Sequence, residues 1–481
     1  MKTKKIVALV LSMAMVLGVV AACNKTTEST AASTDASAAT SASAATSADA
    51  SADTSASETE SQAPAGKYKQ LDVVDPSTLT DAGDLLVWSW NEEIGGLIKN
   101  YYSGSNFDPA NSASYNTVKN DGGAYKTALS QVLASGEGAP DIYGVEADYI
   151  KAFMDSDHAL ALSDLGISND ELTSAQYDYT LQLATDDSAV IRGISWQCNP
   201  AAVFYNRVLA KQYLGVDDPA GVGEHFSSWD KFIETAKTVD SASGGKVKAV
   251  AAIADVERPY LNTRTQGWVV DGNLTIDPQV EAYLDFGKQL YSENLTFNAA
   301  QWSDAAWTDG VANSTVLSYF GPMWLGHFSL KIWDDANGNK ATKDDWGICA
   351  APNPYYWGGS WLVASKYCDA KKSAAQIMRD VCLNEANLTQ IAKNGDFANN
   401  KVVMNNAAKD ASFQILGLGN QNPYEVLAPV ADGITADIIT AYDQDVQQQF
   451  DNFATGYFDG TTATKADVEA ALKAAVADII K

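Results

Sequence analysis

Between Leu85 and Met154 the apolar residues keep changing their spacing. Leu85-Leu86-Val87-Trp88 is a short continuous run, the pattern of a buried strand. From Glu92 to Tyr102, Ile94, Leu97, Ile98 and Tyr101 recur at helical spacing. Tyr125 to Ser135 repeats that spacing with Leu129, Val132 and Leu133, and Gly136 ends it. Pro140-Asp141 precedes a second apolar run, Ile142 to Val145, and a further helix is predicted over Asp148 to Met154. Strands and helices alternating at this length restrict the chain to a layered α/β fold with a largely parallel sheet.

The pattern continues with more helix. Ser228 to Val239, Pro278 to Glu293 and Met323 to Trp333 read as helices, Thr315 to Phe320 and Trp346 to Ala350 as strands. Ala374, Ile377, Met378, Val381 and Cys382 form one apolar stripe. Near the C-terminus, Thr464-Lys465-Ala466-Asp467 resembles a capping box, and Val468, Ala471, Leu472, Ala475, Val476 and Ile479 line the buried face that follows. The folded part, from about Asp84 onward, is too long for one typical core, so two lobes are expected. There is no internal repeat.

The start of the chain reads differently. Lys2, Lys4 and Lys5 precede an apolar run, Ile6 to Val20, too short for an ordinary membrane span. Val20-Ala21-Ala22-Cys23 resembles a bacterial lipobox. That resemblance implies that 1–22 is a lipoprotein signal peptide and that Cys23 carries a lipid anchoring the protein to the outer side of the cell membrane. Asn24 to Gly66 contains no Val, Ile, Leu, Met, Phe, Tyr or Trp. Such a tract buries too little apolar surface to offset its ordering entropy, so residues 23–66 are expected to form a disordered tether. A formal net charge of −27 disfavours nucleic acid as a partner. Cys198, Cys349, Cys368 and Cys382 form no C-x-x-C pair, and their spacing leaves disulfides and free thiols both open.

Familiar catalytic patterns are missing. His158, His225 and His327 are scattered, and no H-E-x-x-H, G-x-S-x-G, Walker A or G-x-G-x-x-G occurs. No cofactor or metal is called for. The acidic stretch Asp334 to Asp345 lacks the glycine and final Glu of an EF-hand and reads as a hairpin-like turn. A carboxylate pair able to cleave a glycosidic bond stays open.

Twelve tryptophans remain to be explained, and many stand beside polar residues at the ends of expected elements. Trp90, Asn91 and Glu92 follow the first strand, and Asp148 follows the second. Gln197 lies in "SWQ", Arg264 and Trp268 in "TRTQGW", Trp324 in "GPMWLGHF", Asp396 in "KNGDFANN". Trp357 and Trp361 flank Gly358-Gly359 in "YYWGGSW". An aromatic plane suits the C–H face of a sugar ring, and amides, acids and guanidinium groups suit its rim of hydroxyls. These eleven residues are the candidate ligand site. Which of Trp357 and Trp361 faces the ligand stays open.

"VLASGEGAPDIYGVEADYI", "GISWQCNPAAVFYNRVLAKQYLG", "FSSWDKFIETAKTV", "YFGPMWL", "PYYWGGSWLVASK" and "KNGDFANN" resemble the extracellular solute-binding proteins of bacterial sugar ABC importers, the maltose-binding-protein-like group. The resemblance covers roughly Leu85 to the C-terminus. It departs from the usual pattern at Ala201, where glycine is common nearby, and at Ser360, where threonine is usual. It implies a two-lobed periplasmic-binding-protein type II fold with hinge-linked α/β lobes. One lobe would comprise 84–194 and 357–400, the other 195–356 and 401–481. It also implies a monomeric, non-catalytic binding component that closes on a carbohydrate, such as an oligosaccharide, and delivers it to ABC permease subunits. A membrane-anchored glycoside hydrolase or lyase with an aromatic cleft is the alternative, and a peptide or metal binder on the same fold is a third reading.

Overall fold

The computed structural model describes residues 66–480 except residues 106, 111, 121–122, 300, 302–306 and 331–344. Cys23, the segment 1–22, the tract 24–65 and the turn at 334–344 therefore lie outside the described residues.

Two sheets organise the chain. The first holds β1 (Leu86–Ser89), β2 (Ser114–Thr117), β3 (Ile142–Glu146), β4 (Gly193–Ile194) and β10 (Ser360–Ala364), in the order β2-β1-β3-β10-β4. The second holds β5 (Ala202–Asn206), β8 (Ser318–Gly321) and β9 (Trp346–Cys349), in the order β8-β5-β9. A small hairpin, β6 (Val269–Val270) and β7 (Asn273–Leu274), stands apart. The expectation of a largely parallel sheet is corrected here. β1 runs parallel to β2 and β3, but β10 is antiparallel to both β3 and β4, and both pairings of the second sheet are antiparallel. β10 reaches the first sheet from the second and so enters against β3.

Burial follows the two strand patterns. In β1, Val87 and Ser89 are buried while Leu86 and Trp88 are half-buried, the alternation of a strand with unequal faces. Every residue of β5 is buried, because helices cover both faces of its sheet. Val203 and Tyr205 point into one hydrophobic cluster, Ala202 and Phe204 into the other. Fully burying each of the larger side chains contributes about 1.5–3 kcal/mol, so β5 is a main anchor of both clusters.

The helices that matter for the site are α1 (Glu93–Tyr101), α2 (Ala124–Ser135), α3 (Ile150–Met154), α4 (Trp229–Ser243), α5 (Glu257–Leu261), α6 (Pro278–Ser292), α7 (Lys371–Cys382), α8 (Asp443–Asp459) and α9 (Lys465–Val476). Local signals set their ends. Gly136 caps α2 at φ 75°, and its N–H donates to the Val132 carbonyl. The Ser228 hydroxyl accepts the Lys231 N–H at the start of α4. Thr464 and Asp467 close the capping box before α9 from both sides. Of the helix expected over Met323 to Trp333, the described residues hold α-helix at Met323–Leu325 and a wider turn over Gly326–Leu330, while residues 331–333 lie outside the described residues. Two glycines, Gly321 and Gly326, flank that segment and weaken its helical propensity. Cys198, Cys349, Cys368 and Cys382 are free and buried.

Two extended segments connect the sheets. The chain leaves β4, passes through 195–201 and enters β5. It returns from β9 through 350–359 into β10. The two runs lie side by side and antiparallel: Ala201 N–H donates to Tyr355 O at 2.9 Å, and Trp357 N–H donates to Asn199 O at 3.2 Å. Gly358 and Gly359 then take φ of 70° and 131°, conformations that side chains disfavour. Gly359 O accepts the Ala147 N–H at 3.0 Å, which fixes the turn against the end of β3.

Candidate functional site

β1 and β3 are adjacent and parallel, so the chain leaves both at one edge of the first sheet. Open α/β sheets gather ligands beyond such carboxyl ends. A cavity of about 1360 Å³ opens beside the residues that follow β3, Ala147, Asp148 and Tyr149. α2, α5 and α8 wall it, together with Tyr356 and Trp357.

α2 divides its faces cleanly. Tyr125, Leu129 and Leu133 are buried, while Gly123, Lys126, Thr127, Ser130 and Gln131 line the cavity. These positions are three and four residues apart, one stripe of a helix. α8 does the same with Val446, Phe450 and Ala454 inward and a polar face toward the cavity.

Two polar links cross the cavity. The Arg258 guanidinium donates from Nη1 and Nη2 to the two oxygens of Asp148, at 2.9 and 3.1 Å. This is the bidentate geometry that fixes both partners. Arg258 also lies over the Trp357 ring, 5.5 Å from its centroid. Burial by itself would lower the pKa of Arg258; Asp148 more than offsets that and keeps the guanidinium charged. Second, Lys126 Nζ donates to Gln444 Oε1 at 2.7 Å and stands 3.8 Å from Asp445.

A network lies between α5, α6 and α8. Trp268 Nε1 donates to Gln447 Oε1 at 3.1 Å. Gln447 Nε2 donates to Glu257 Oε1 and to Asp451 Oδ1, both at 2.7 Å, and Tyr283 Oη donates to Glu257 Oε2 at 3.0 Å. Burial, and then the nearby Asp451 carboxylate, holds the Glu257 pKa well above its ordinary range. Arg264 lies over the Trp268 ring at 4.7 Å and faces Asp443 at 3.5 Å. Burial lowers its pKa, and Asp443 pulls the other way. At the end of β3, burial first and Asp148 second push up the pKa of Glu146.

Four of the eleven candidate residues line this cavity: Asp148, Arg264, Trp268 and Trp357. Trp268 is only 1% exposed, so it forms floor rather than an open face. Trp324 sits one layer back. Its Nε1 donates to the Trp357 carbonyl at 3.1 Å, and its ring meets Trp357 edge-on at 5.5 Å. Trp90 is half-buried and packs edge-on against Tyr125 at 5.6 Å. Asn91 and Glu92 are exposed at the start of α1, and the half-buried acid there is Glu93. Burial, then the charge of Asp396, pushes the Glu93 pKa up to about 7, and burial raises Asp396 to about 6. Asp396 thus belongs with Glu93 and not with the cavity wall. Gln197 is buried on the crossing segment opposite Ala398. Trp361 is 1% exposed and donates from Nε1 to the Thr180 carbonyl at 3.0 Å; it is core. Arg258, Lys126, Glu257 and Gln447 escaped the sequence reading. The one signal for Lys126 was the polar stripe opposite Tyr125, Leu129 and Leu133.

Among the described residues no group of three or more His, Cys, Asp or Glu side chains is placed to hold a metal ion. Every wall offers hydrogen-bond donors and acceptors, and Trp357 offers an aromatic surface. Such a lining suits an uncharged, polyhydroxylated molecule.

The sequence pattern of the bacterial extracellular solute-binding proteins matches residues 106–414, well over half of the chain. The chain belongs to this family. The solute-binding fold is two-lobed, of the periplasmic binding protein type II class, and the family is extracytoplasmic. An extracellular solute-binding protein of family 1 superposes on this solute-binding protein with a TM-score of 0.67 at 19% identity, over 82% of this chain and 98% of the other. An ABC-transporter-associated binding protein of Bifidobacterium animalis subsp. lactis Bl-04, in complex with β-1,6-galactobiose, gives 0.62 at 19% identity, over 82% and 97%. The galacto-N-biose-/lacto-N-biose I-binding protein of Bifidobacterium longum, in complex with lacto-N-biose, gives 0.61 at 15%, over 83% and 96%. No curated protein sequence matches the chain. Among the described residues no helix is long and apolar enough to cross a membrane.

Proposed function

We propose that this solute-binding protein captures a carbohydrate, an oligosaccharide rather than a monosaccharide, and hands it unchanged to the permease subunits of an ABC importer. One observation carries the reading. At the carboxyl end of β3, the half-buried Trp357 ring stands beside the Asp148–Arg258 fork in a cavity of about 1360 Å³ with polar walls. The ring serves one face of a pyranose, and the fork and the amides of α8 serve its hydroxyls. The sugar complexes of the structural neighbours support this ligand class.

The lobes in this reading are 84–194 with 357–400, and 195–356 with 401–481, turning about the paired crossing segments. Cys23 carries the lipid that keeps the monomer at the membrane; an intact mass of membrane-extracted protein showing an unmodified Cys23 would refute that part. The function itself is tested by releasing the ligand from freshly purified protein and sizing it by mass spectrometry. An intact oligosaccharide is the expected result. Shortened products, appearing when excess oligosaccharide is incubated with the protein, would replace the binding reading with that of a hydrolase or lyase.

A further inference from the structure

We infer that two polar links across the cavity, Asp148 with Arg258 and Lys126 with Gln444 and Asp445, are latches that draw its walls together without a ligand, so that a ligand enters only when they open. The inference rests on the reading above that the lobes turn about the crossing segments, and adds what holds them between ligands.

Each latch joins bodies that pack separately. Asp148 follows β3, and its neighbours Tyr149 and Ile150 are buried in the first hydrophobic cluster. Lys126 stands on α2, whose Tyr125, Leu129 and Leu133 belong to the same cluster. Arg258 stands on α5, between Val256 and Leu261 of the second cluster. Gln444 and Asp445 open α8, which enters the second cluster through Val446, Phe450 and Ala454. Asp148 and Arg258 are 110 positions apart, Lys126 and Gln444 318. No helix turn or hairpin brings these partners together; only the approach of the two walls does. The chain supplies both partners of every bond, so the attraction does not wait for a ligand.

The strength suits a latch. The side chains of Arg258 and Asp148 are 34% and 32% exposed, those of Lys126 and Asp445 29% and 48%. Water reaches all four, so opening replaces each bond by hydration and strands no buried charge. Pairs of this kind bias an equilibrium without locking it. The fork is the stronger of the two, because its bidentate geometry admits one alignment. The Trp357 ring, 5.5 Å from the guanidinium, keeps Arg258 aimed when the bonds part. Lys126 carries a compact charge on a flexible stem, reaching Gln444 at 2.7 Å and Asp445 at 3.8 Å, and so holds over a wider range of separations. The consequence is kinetic. A closed form dominates the free protein, and the association rate levels off at the rate at which the latches open.

The test places spin labels on Ala134→Cys of α2 and Asn452→Cys of α8, both exposed and neither lining the cavity. Cys198, Cys349, Cys368 and Cys382 are buried and escape labelling. Pulsed electron resonance then gives the distance in the full chain as purified, in the chain stripped of carried ligand by unfolding and refolding, and in stripped Lys126→Met/Asp148→Asn. The expected result is a short distance in the stripped wild type, and a ratio of short to long forms about five- to thirtyfold lower in the double variant. Lys126→Met alone, which keeps the fork, should lower the ratio about two- to fivefold and serves where the double variant folds poorly. A long distance in the stripped wild type and a short one in the protein as purified would overturn the latches and leave the turning of the lobes standing. One distance in every sample would overturn the latches and count against the turning of the lobes as well.

Discussion

Trp357 and Trp361 are four residues apart, and the structure gives them opposite environments. Consider each replaced by alanine. Trp361 is 1% exposed, and its Nε1 satisfies the Thr180 carbonyl. Its removal empties a packed site and strands a buried acceptor, at a cost of about 3–5 kcal/mol. Against a total stability of about 5–15 kcal/mol, that is a large fraction. Trp357 is half-buried and holds an edge contact with Trp324 and a cation–π contact with Arg258. Those contacts contribute about 1–2 kcal/mol beside its packing at the edge of the second hydrophobic cluster, so Trp357→Ala should melt much nearer the wild type than Trp361→Ala. Its cost falls on binding, where a lost stacking face weakens affinity by roughly ten- to a hundredfold, about 1.4–2.8 kcal/mol. The assay is a thermal melt of each variant with calorimetry of the folded fraction, using the oligosaccharide recovered from the wild type. Trp361→Ala should melt early and still bind; Trp357→Ala should melt normally and bind poorly. The opposite assignment, or a Trp357→Ala protein that binds like the wild type, would refute the reasoning.

Two further outcomes follow from the geometry. Glu93 and Asp396 hold their protons to about pH 7 and 6, whereas the unfolded chain releases them near their ordinary values of 4.5 and 3.8. The native state therefore binds more protons in that window, and stability should fall as pH rises from about 4 to 7; Glu93→Gln should flatten the melting-temperature profile, and a profile parallel to the wild type would count against it. Gly359→Ala places a Cβ 3.0 Å from the Trp361 ring at φ 131°, so a loss of about 1–3 kcal/mol is expected in denaturant titrations, and an unchanged midpoint would show that the turn is not constrained.

Much of the fold was legible because it is written in local spacing. The runs at Leu85–Trp88 and Ile142–Val145 became β1 and β3 within a residue, and Gly136, Ser228 and Thr464 marked helix ends through their own backbone and side-chain chemistry. Strand direction was not legible. β10 runs against β3 because of where the chain comes from, which no local pattern encodes. The site was legible in residue type and less so in facing. At the start of α1 a shift of one residue turns the helix by a hundred degrees, so Glu93 rather than Glu92 meets Asp396. Across Gly358-Gly359 the strand alternation fails, because both residues take positive φ. Arg258 was missed for a different reason. Its partner Asp148 is 110 positions away, and only the folded chain brings them within hydrogen-bonding distance.

The paired crossing segments have a consequence for how ligand occupancy could be read out. Trp357 is bonded through its backbone to Asn199, on the side of the two glycines that leads to the second sheet. Trp361 lies beyond them in β10, registered opposite Val145 of β3 in the first sheet. Seven consecutive residues therefore carry an indole on either side of the bend. Trp357 lines the cavity beside Arg258, and Trp361 lies in the core at 1% exposure. Their emission should separate accordingly, one sensitive to the ligand and to Arg258, the other shielded throughout. The stretch is a built-in optical gauge, with Trp357 as its pointer and Trp361 as its fixed mark.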